Sequence, residues 1–243
     1  MTLFLLAITT FLTTLAGGLL ALKGQNKLHR YLGVTAGVLL GVVAFDLLPE
    51  IFEQVSENNL STTAPMIALV VGFLLFHIVE KSILIHHNHE AGYEIHNHPH
   101  VGIASALAII GHSLLDGIAI GVGFQAGAGV GVTIAIAVIA HNFTDGLNTV
   151  NLMLINNNRS RRAFIFLLIN AVAPIVGILI ATVLNLSDAG LTLYLGFFAG
   201  FLLYIGASEI LPEAHRKNSS YLTISLTILG AAFIFVVTSL NHH

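Results

Sequence analysis

Eight apolar stretches, each about 20 residues long, dominate this sequence, and about 20 apolar residues in a helix cross the ~30 Å hydrocarbon core of a bilayer. The chain is 56% hydrophobic and only 9% charged, whereas about a quarter of the residues of a soluble globular protein are charged. The sequence therefore predicts an all-α polytopic membrane protein with one transmembrane domain over residues 1–243. The predicted spans are residues 3–22, 31–51, 65–85, 101–123, 130–154, 163–184, 191–212 and 221–240.

The basic residues fall on one face of this arrangement, in the connections after spans one, five and seven and at the end of span three. They are Lys23, Lys27, Arg30, Lys81, Arg159, Arg161, Arg162, Arg216 and Lys217. Because the short cytoplasmic loops of membrane proteins carry the excess of Lys and Arg, that face is predicted to be cytoplasmic. Both termini then lie outside the cytoplasm. We expect the protein to reside in the cell membrane, either an inner or a plasma membrane.

Two copies of a His-x-x-x-Asp-Gly motif lie inside spans four and five, as HSLLDG at 112–117 and HNFTDG at 141–146. A charge at the centre of a transmembrane helix costs about 2.5–3.5 kcal/mol, so each aspartate needs a partner. Residues four apart share one face of a helix, and the short QAGAG connection makes the two spans antiparallel neighbours. We therefore expect the bilayer midplane to hold His112, Asp116, His141 and Asp145 together.

Two imidazoles and two carboxylates form a cage of nitrogen and oxygen ligands, and the chain has no cysteine to add a thiolate. Zn²⁺ accepts such a set, Fe²⁺, Mn²⁺ and Cd²⁺ are chemically compatible, and Mg²⁺ and Ca²⁺ prefer all-oxygen sites. For one His/Asp pair, a hydrogen bond that joins two helices is an equally good interpretation. Two copies at matched depth favour a metal site. No organic cofactor and no nucleic-acid partner are expected.

Further polar residues continue from this site along span five. Thr144, Asn148 and Asn151 share the face of His141 and Asp145 and extend it toward the cytoplasmic end. The pattern is typical of an ion path, and interhelical hydrogen bonding is the alternative.

A second repeat consists of FDLLPE at 45–50, which ends span two, and SEILPE at 208–213, which ends span seven on the opposite side. Similar motifs at opposite ends of oppositely directed helices indicate an inverted repeat, a common plan among transporters with midplane sites. Asp46 and Glu50 are predicted to gather cations outside, and Glu209 and Glu213 to receive them inside. Simple solvation of these acids at the interface is the alternative.

A histidine-rich stretch, HHNHEAGYEIHNHPH at 86–100, follows span three on the predicted cytoplasmic face. Such tracts are typical of metal binding or metal sensing, although a solvated linker is the alternative. Because flexible loops bind loosely, we predict buffering or regulation rather than translocation. The six candidate metal-binding residues of this loop are His86, His87, His89, His96, His98 and His100.

HSLLDG, HNFTDG, the two LPE motifs, the eight spans and the histidine-rich loop together resemble the ZIP (Zrt/Irt-like) family of divalent metal transporters. The resemblance covers essentially the whole chain. It implies that zinc-type cations move into the cytoplasm, that the protein is a homodimer, and that spans one, four, five and six move like an elevator against the others.

The chain also departs from the family pattern, in which the motifs often read His-Asn-x-Pro-Glu-Gly. Leu115 and Thr144 stand at the proline positions, and Asp116 and Asp145 at the glutamate positions. Some family members bind a second metal through polar residues beside the motif histidines and a glutamate before a proline on helix six. At those positions this chain has Ser113, Asn142 and Ala173, so the resemblance implies that Ser113 and Asn142 are at most auxiliary ligands. One strong metal site is therefore expected.

Two other functional classes use similar residues. A metal-dependent intramembrane hydrolase also needs His and Asp ligands, with a metal-bound water as the nucleophile. A haem protein needs two histidines that face each other across a bundle, but the two aspartates would lie poorly beside a porphyrin. Transport by a midplane His/Asp site is the function that the motifs favour.

Overall fold

The computed structural model describes residues 2–23, 29–90, 99–216 and 220–241, and these parts of the chain are almost entirely helical, without a β-strand. The all-α prediction is therefore confirmed. The α-helices, numbered in chain order, are α1 (Thr2–Leu22), α2 (His29–Val42), α3 (Leu48–Glu57), α4 (Thr63–Glu90), α5 (Pro99–Ala126), α6 (Ala128–Ile155), α7 (Ser160–Val183), α8 (Asp188–Tyr204), α9 (Leu211–Arg216) and α10 (Tyr221–Asn241). Two π-helical turns are π1 (Val43–Leu47) and π2 (Ile205–Ile210).

Seven helical stretches in the described residues are long and apolar enough to cross a membrane. An eighth apolar stretch, Thr63–Val79, lies within the longer helix α4. The protein is therefore an integral membrane protein. The seven stretches are Thr2–Leu22, Leu32–Glu57, Pro99–Ala126, Ala128–Ile155, Ser160–Val183, Asp188–Arg216 and Tyr221–Leu240.

The helices continue beyond the ends of the predicted spans. Span two is predicted at 31–51, but its helix reaches Glu57. Helix α4 reaches Glu90, so the first residues of the predicted loop at 86–100 have helical backbone. Hydropathy locates the end of the apolar stretch, whereas helical hydrogen bonds continue into polar sequence. Residues 91–98 of that loop lie outside the described residues.

The chain divides into two compact units. The first comprises Met1–Asn26, His77–Ile118 and His141–Ala181, and the second comprises Lys27–Phe76, Ala119–Ala140 and Thr182–His243. Helices α5 and α6 each contribute to both units. That residues 1–243 act as a single transmembrane domain stays a prediction.

In the first unit, glycines bring helices into direct backbone contact. A Cβ atom on Gly146 of α6 would collide with the carbonyl oxygen of Thr14 in α1, and one on Gly17 with that of Phe143. In the same way, Gly117 of α5 faces the Pro174 carbonyl of α7. Small residues at such crossings let transmembrane helices approach closely. Helix α6 therefore packs against α1, and α5 against α7.

In the second unit, each LPE motif follows directly on a π-helical turn. Turn π1 ends at Leu47, before Leu48-Pro49-Glu50, and π2 ends at Ile210, before Leu211-Pro212-Glu213. A proline within a helix lacks the N–H that would bond four residues back, and its ring clashes with that carbonyl. A wider turn just before the proline relieves this clash, because hydrogen bonds there skip one more residue. Both copies of the repeat thus share their local structure.

Candidate metal site

Among the described residues, one group of His, Asp and Glu side chains can surround a metal ion: His112 and Asp116 of α5 with His141 and Asp145 of α6. One ligand atom from each residue lies within 4.8 Å of all the others. All four residues belong to the first unit. The structure thus brings together the side chains that the two sequence motifs single out.

The distances within this group match the size of a tetrahedral shell. The two imidazole Nε2 atoms are 3.3 Å apart, and Asp116 Oδ2 lies 3.2 Å from His141 Nε2 and 3.3 Å from His112 Nε2. Asp145 Oδ2 lies 3.6 Å from His141 Nε2 and 3.7 Å from His112 Nε2. Ligands at about 2.0–2.1 Å from a tetrahedral Zn²⁺ are roughly 3.3 Å from one another. The group therefore has the dimensions of a cage for one such ion.

The cage is closed at one side and slightly open at the other. Asp116 and His141 are fully buried, whereas the His112 side chain is 12% exposed and the Asp145 side chain 11% exposed. In the part of the chain that the structure describes, Asp116 Oδ1 and Asp145 Oδ2 are buried without a hydrogen-bond partner. Buried carboxylate oxygens without donors are unfavourable unless a proton or a cation meets them. Of the four side chains, only those of His112 and Asp145 are partly exposed.

The glycine that follows each aspartate has a packing role. Gly117 directly follows Asp116 and faces the backbone of α7, and Gly146 directly follows Asp145 and faces the backbone of α1. Each glycine thus lets a neighbouring helix lie against the back of one motif. Gly123 of α5 lies against the backbone of Gly131 in α6, whereas Gly117 faces α7 instead.

A chain of buried hydrogen bonds lies next to the cage, and two of its members, Asn170 and Thr149, were not predicted as site residues. Ser113 Oγ donates to Asn170 Oδ1 at 2.7 Å, and Asn170 Nδ2 donates to Thr149 Oγ1 at 3.0 Å. Thr149 Oγ1 donates to the Asp145 carbonyl at 2.7 Å. In the sequence, Asn170 could have indicated this chain, because an amide inside the apolar helix α7 needs a hydrogen-bond partner. Ser113, a candidate auxiliary ligand, thus directs its hydroxyl hydrogen to Asn170.

The other candidate auxiliary ligand, Asn142, is fully buried on α6. Neither its amide nitrogen nor its amide oxygen has a hydrogen-bond partner among the described residues. The hydroxyl oxygen of Thr144 is likewise buried without a partner in the same part of the chain. An auxiliary role for Asn142 stays a prediction.

The asparagines of the predicted polar path differ from those that follow them at the end of α6. Asn148 and Asn151 are half-buried, as residues that line an aqueous path would be. The asparagines after them instead close the end of the helix: Asn158 Nδ2 donates to the Pro99 carbonyl at 2.9 Å, and Asn157 has a left-handed backbone with φ of 57°. Asparagine tolerates that conformation at helix ends. The run at 156–158 is therefore a helix cap.

The outer and inner acids differ in burial. Asp46 is 3% and Glu50 7% exposed, so simple solvation does not describe them. Asp46 Oδ2 has no hydrogen-bond partner in the described chain, and Glu50 Oε1 accepts from Gln54 Nε2 at 2.9 Å. Glu209 is exposed, and Glu213 forms a surface ion pair with Arg216 at 2.9 Å. Burial thus distinguishes the outer acids from the inner acids, and the roles of all four stay predictions.

Most of the histidine-rich loop lies outside what the structure describes. His96 and His98 are outside the described residues, and for His86, His87 and His89 only the helical backbone is described. His100 is exposed in the first turn of α5. Metal binding by this loop stays a prediction.

Comparison with known proteins adds an independent finding. The family model for the ZIP zinc transporters matches residues 85–238. Zinc transporter GufA of Myxococcus xanthus is 29% identical over 191 residues, which cover 76% of this chain and 75% of that protein. Zinc transporter ZIP10 of Homo sapiens is 29% identical over 154 residues, which cover 56% of this chain and 18% of that protein.

Proposed function

Because this chain belongs to the ZIP zinc transporter family, we propose that it carries a divalent transition metal ion, preferentially Zn²⁺, across the membrane into the cytoplasm. Metal transport is the shared activity of that family, and its members are transporters rather than enzymes. Membership of this family therefore argues against the alternative function, an intramembrane hydrolase. The metal, the direction of movement and the residues that bind the ion are our proposals.

The cage formed by His112, Asp116, His141 and Asp145 is the observation that carries the proposal. Its two nitrogen and two oxygen ligands, with spacings of 3.2–3.7 Å between the imidazole and carboxylate atoms, suit Zn²⁺. Fe²⁺, Mn²⁺ and Cd²⁺ are the chemically nearest competitors, and Mg²⁺ and Ca²⁺ are disfavoured because they prefer oxygen ligands. The cation offsets the two carboxylate charges that lipid would otherwise disfavour.

We propose that each protomer of a homodimer carries one ion at this cage and exposes it alternately to the two sides. The half-buried Asn148 and Asn151 then lead from Asp145 toward the cytoplasm. Asp46 and Glu50 are proposed to attract cations on the outer side, and Glu209 and Glu213 to receive them on the inner side. The histidine-rich loop at 86–100 is proposed to buffer metal in the cytoplasm.

Uptake into proteoliposomes tests the assigned cage. We expect the His141→Ala/Asp145→Ala variant to lose Zn²⁺ uptake, because one imidazole and one carboxylate are removed from the four ligands. The variant His77→Ala/Asp188→Ala, which removes the same residue types but no member of this group of four, should keep it. Unchanged uptake by the first variant would refute the assignment. Competition by Fe²⁺, Mn²⁺ and Cd²⁺, and metal analysis of the purified protein, identify the ion and its stoichiometry.

A further inference from the structure

Three buried polar side chains connect three different helices next to the proposed cage. They are Ser113 of α5, Thr149 of α6 and Asn170 of α7, and each is 0% exposed. Helix α7 contributes no ligand to the cage, yet Asn170 bonds to both helices that do, at 2.7 Å to Ser113 Oγ and 3.0 Å to Thr149 Oγ1. Asn170 is therefore a bridge between the two ligand-bearing helices.

The direction of every hydrogen bond in this chain is determined by the groups that take part. Thr149 has one hydroxyl hydrogen, which it gives to the Asp145 carbonyl at 2.7 Å. Toward Asn170 it can therefore only accept, so the Asn170 NH₂ faces Thr149 and the Asn170 carbonyl oxygen faces Ser113. Ser113 in turn must donate. The Asn170 amide offers both the acceptor and the donor that these two bonds need, whereas a carboxylate lacks the donor and an alkyl group lacks both.

The two ends of the chain lie beside two of the proposed ligands along the backbone. Ser113 is the neighbour of His112 in sequence, and Thr149 holds the backbone carbonyl of Asp145. Because these groups are fully buried, water does not compete for their hydrogen bonds, and an unpaired member would be costly. The contact of Gly117 with the Pro174 backbone brings α7 close to α5 near this point.

We propose that Asn170 is a positioning residue that fixes the separation and rotation of α5 and α6, and thereby the affinity of the cage for its ion. This role rests on the proposed function. Partners outside the ligand shell of a metal site typically change its affinity by about 10–100-fold when they are removed. The two proposed ligands beside this chain, His112 and Asp145, are also the two that remain partly exposed.

The test measures metal binding by purified variants in detergent. Asn170→Leu, which breaks both hydrogen bonds at similar volume, should raise the dissociation constant for Zn²⁺ by about tenfold and alter the absorption spectrum of bound Co²⁺. Ser113→Ala and Thr149→Val should each have a smaller effect. The double variant Ser113→Ala/Asn170→Leu should bind no more weakly than Asn170→Leu, because the two changes remove the same chain.

Conservative and matched variants separate positioning from general destabilisation. Thr149→Ser keeps the hydroxyl and should restore the wild-type dissociation constant. Thr238→Val removes another buried hydroxyl that donates to a carbonyl four residues back, at 3.0 Å to Ile234, and should leave Zn²⁺ affinity unchanged. Thermal unfolding of the metal-free proteins gives the folded fraction for each variant.

The outcomes distinguish this inference from the proposed function. If the wild-type protein binds neither Zn²⁺ nor Co²⁺, the proposed function fails. If the wild type binds and folded Asn170→Leu shows the same affinity and the same Co²⁺ spectrum, the positioning role is overturned while the cage stands. A lower unfolding temperature for Asn170→Leu with unchanged affinity and spectrum would also overturn it, because Asn170 would then stabilise the fold alone.

Discussion

At the scale of single residues, Asp116 allows a direct test of the proposed cage. It is fully buried, and its Oδ2 lies 3.2 Å and 3.3 Å from the two imidazole nitrogens, so it contacts both histidines of the group. Replacing it by asparagine keeps the shape of the side chain and removes its charge. This substitution therefore tests whether the carboxylate charge, and not only the shape of the side chain, is needed to bind the proposed ion.

We expect Asp116→Asn to reduce Zn²⁺ uptake by at least about tenfold, because a neutral amide offsets the cation less well than a carboxylate in a buried site. The measurement is initial uptake into proteoliposomes against Zn²⁺ concentration. Asp188→Asn removes one exposed carboxylate at the start of α8 and should leave uptake unaltered. Equal uptake by Asp116→Asn and the wild type would contradict a ligand role for Asp116.

The convergence of His112, Asp116, His141 and Asp145 could be predicted because it needs only two local facts. Spacing by four places His and Asp on one helix face, and a short connection makes two helices antiparallel neighbours. The role of Asn170 could not be predicted, because its partners come from α5 and α6 and depend on how α7 packs. The burial of Asp46 and Glu50 was missed for the same reason.

At the scale of helices, glycine determines which helices touch. Gly117 and Gly146 each face a neighbouring backbone so closely that a Cβ atom would overlap a carbonyl oxygen. Gly111 lies on the same helix as Gly117, and a Cβ atom there would meet nothing within 4 Å. One helix therefore contains both a glycine that packing requires and one that it does not.

We expect Gly117→Ala and Gly146→Ala to destabilise the protein by about 1–3 kcal/mol, the usual cost of overpacking, because backbone must shift to admit the methyl group. Gly111→Ala should instead be neutral or stabilising by up to about 1 kcal/mol, since alanine is the better helix former. Thermal unfolding in detergent measures all three. An unfolding temperature for Gly146→Ala equal to or above that of Gly111→Ala would contradict the close contact with α1.

The existence of the helices could be predicted from hydropathy, but their ends and their irregular turns could not. Hydropathy does not report where hydrogen bonding stops, so α3 and α4 extend into sequence predicted to be loop. Turns π1 and π2 leave no hydropathy signal either. Proline within an LPE motif is the sequence feature that marks them.

At the scale of the whole molecule, the orientation in the membrane remains our prediction from the basic residues. The connection around Ser61 is expected outside, and the connection around Ser160, which lies among Arg159, Arg161 and Arg162, inside. Both serines are exposed. Because the chain has no cysteine, the wild-type protein gives no background in thiol labelling.

We expect Ser61→Cys to react with a membrane-impermeant maleimide added to intact cells, and Ser160→Cys to react only after the membrane is permeabilised. Labelled protein on a gel provides the measurement, and zinc uptake by each variant verifies that it is folded. The reversed pattern would place the basic connections outside and contradict the predicted direction of the chain.

Turns π1 and π2 also affect how this sequence is compared with others. An α-helix advances about 100° per residue, and a π turn contains one residue more than the α-helical repeat requires. A helical wheel drawn straight through residues 43–47 therefore assigns Glu50 to an incorrect azimuth relative to α2. A relative with an uninterrupted helix that aligns with a one-residue gap at 43–47 or 205–210 therefore keeps its acid after the proline at a similar azimuth, whereas a relative that aligns without the gap and lacks the π turn has that acid rotated by about 100°.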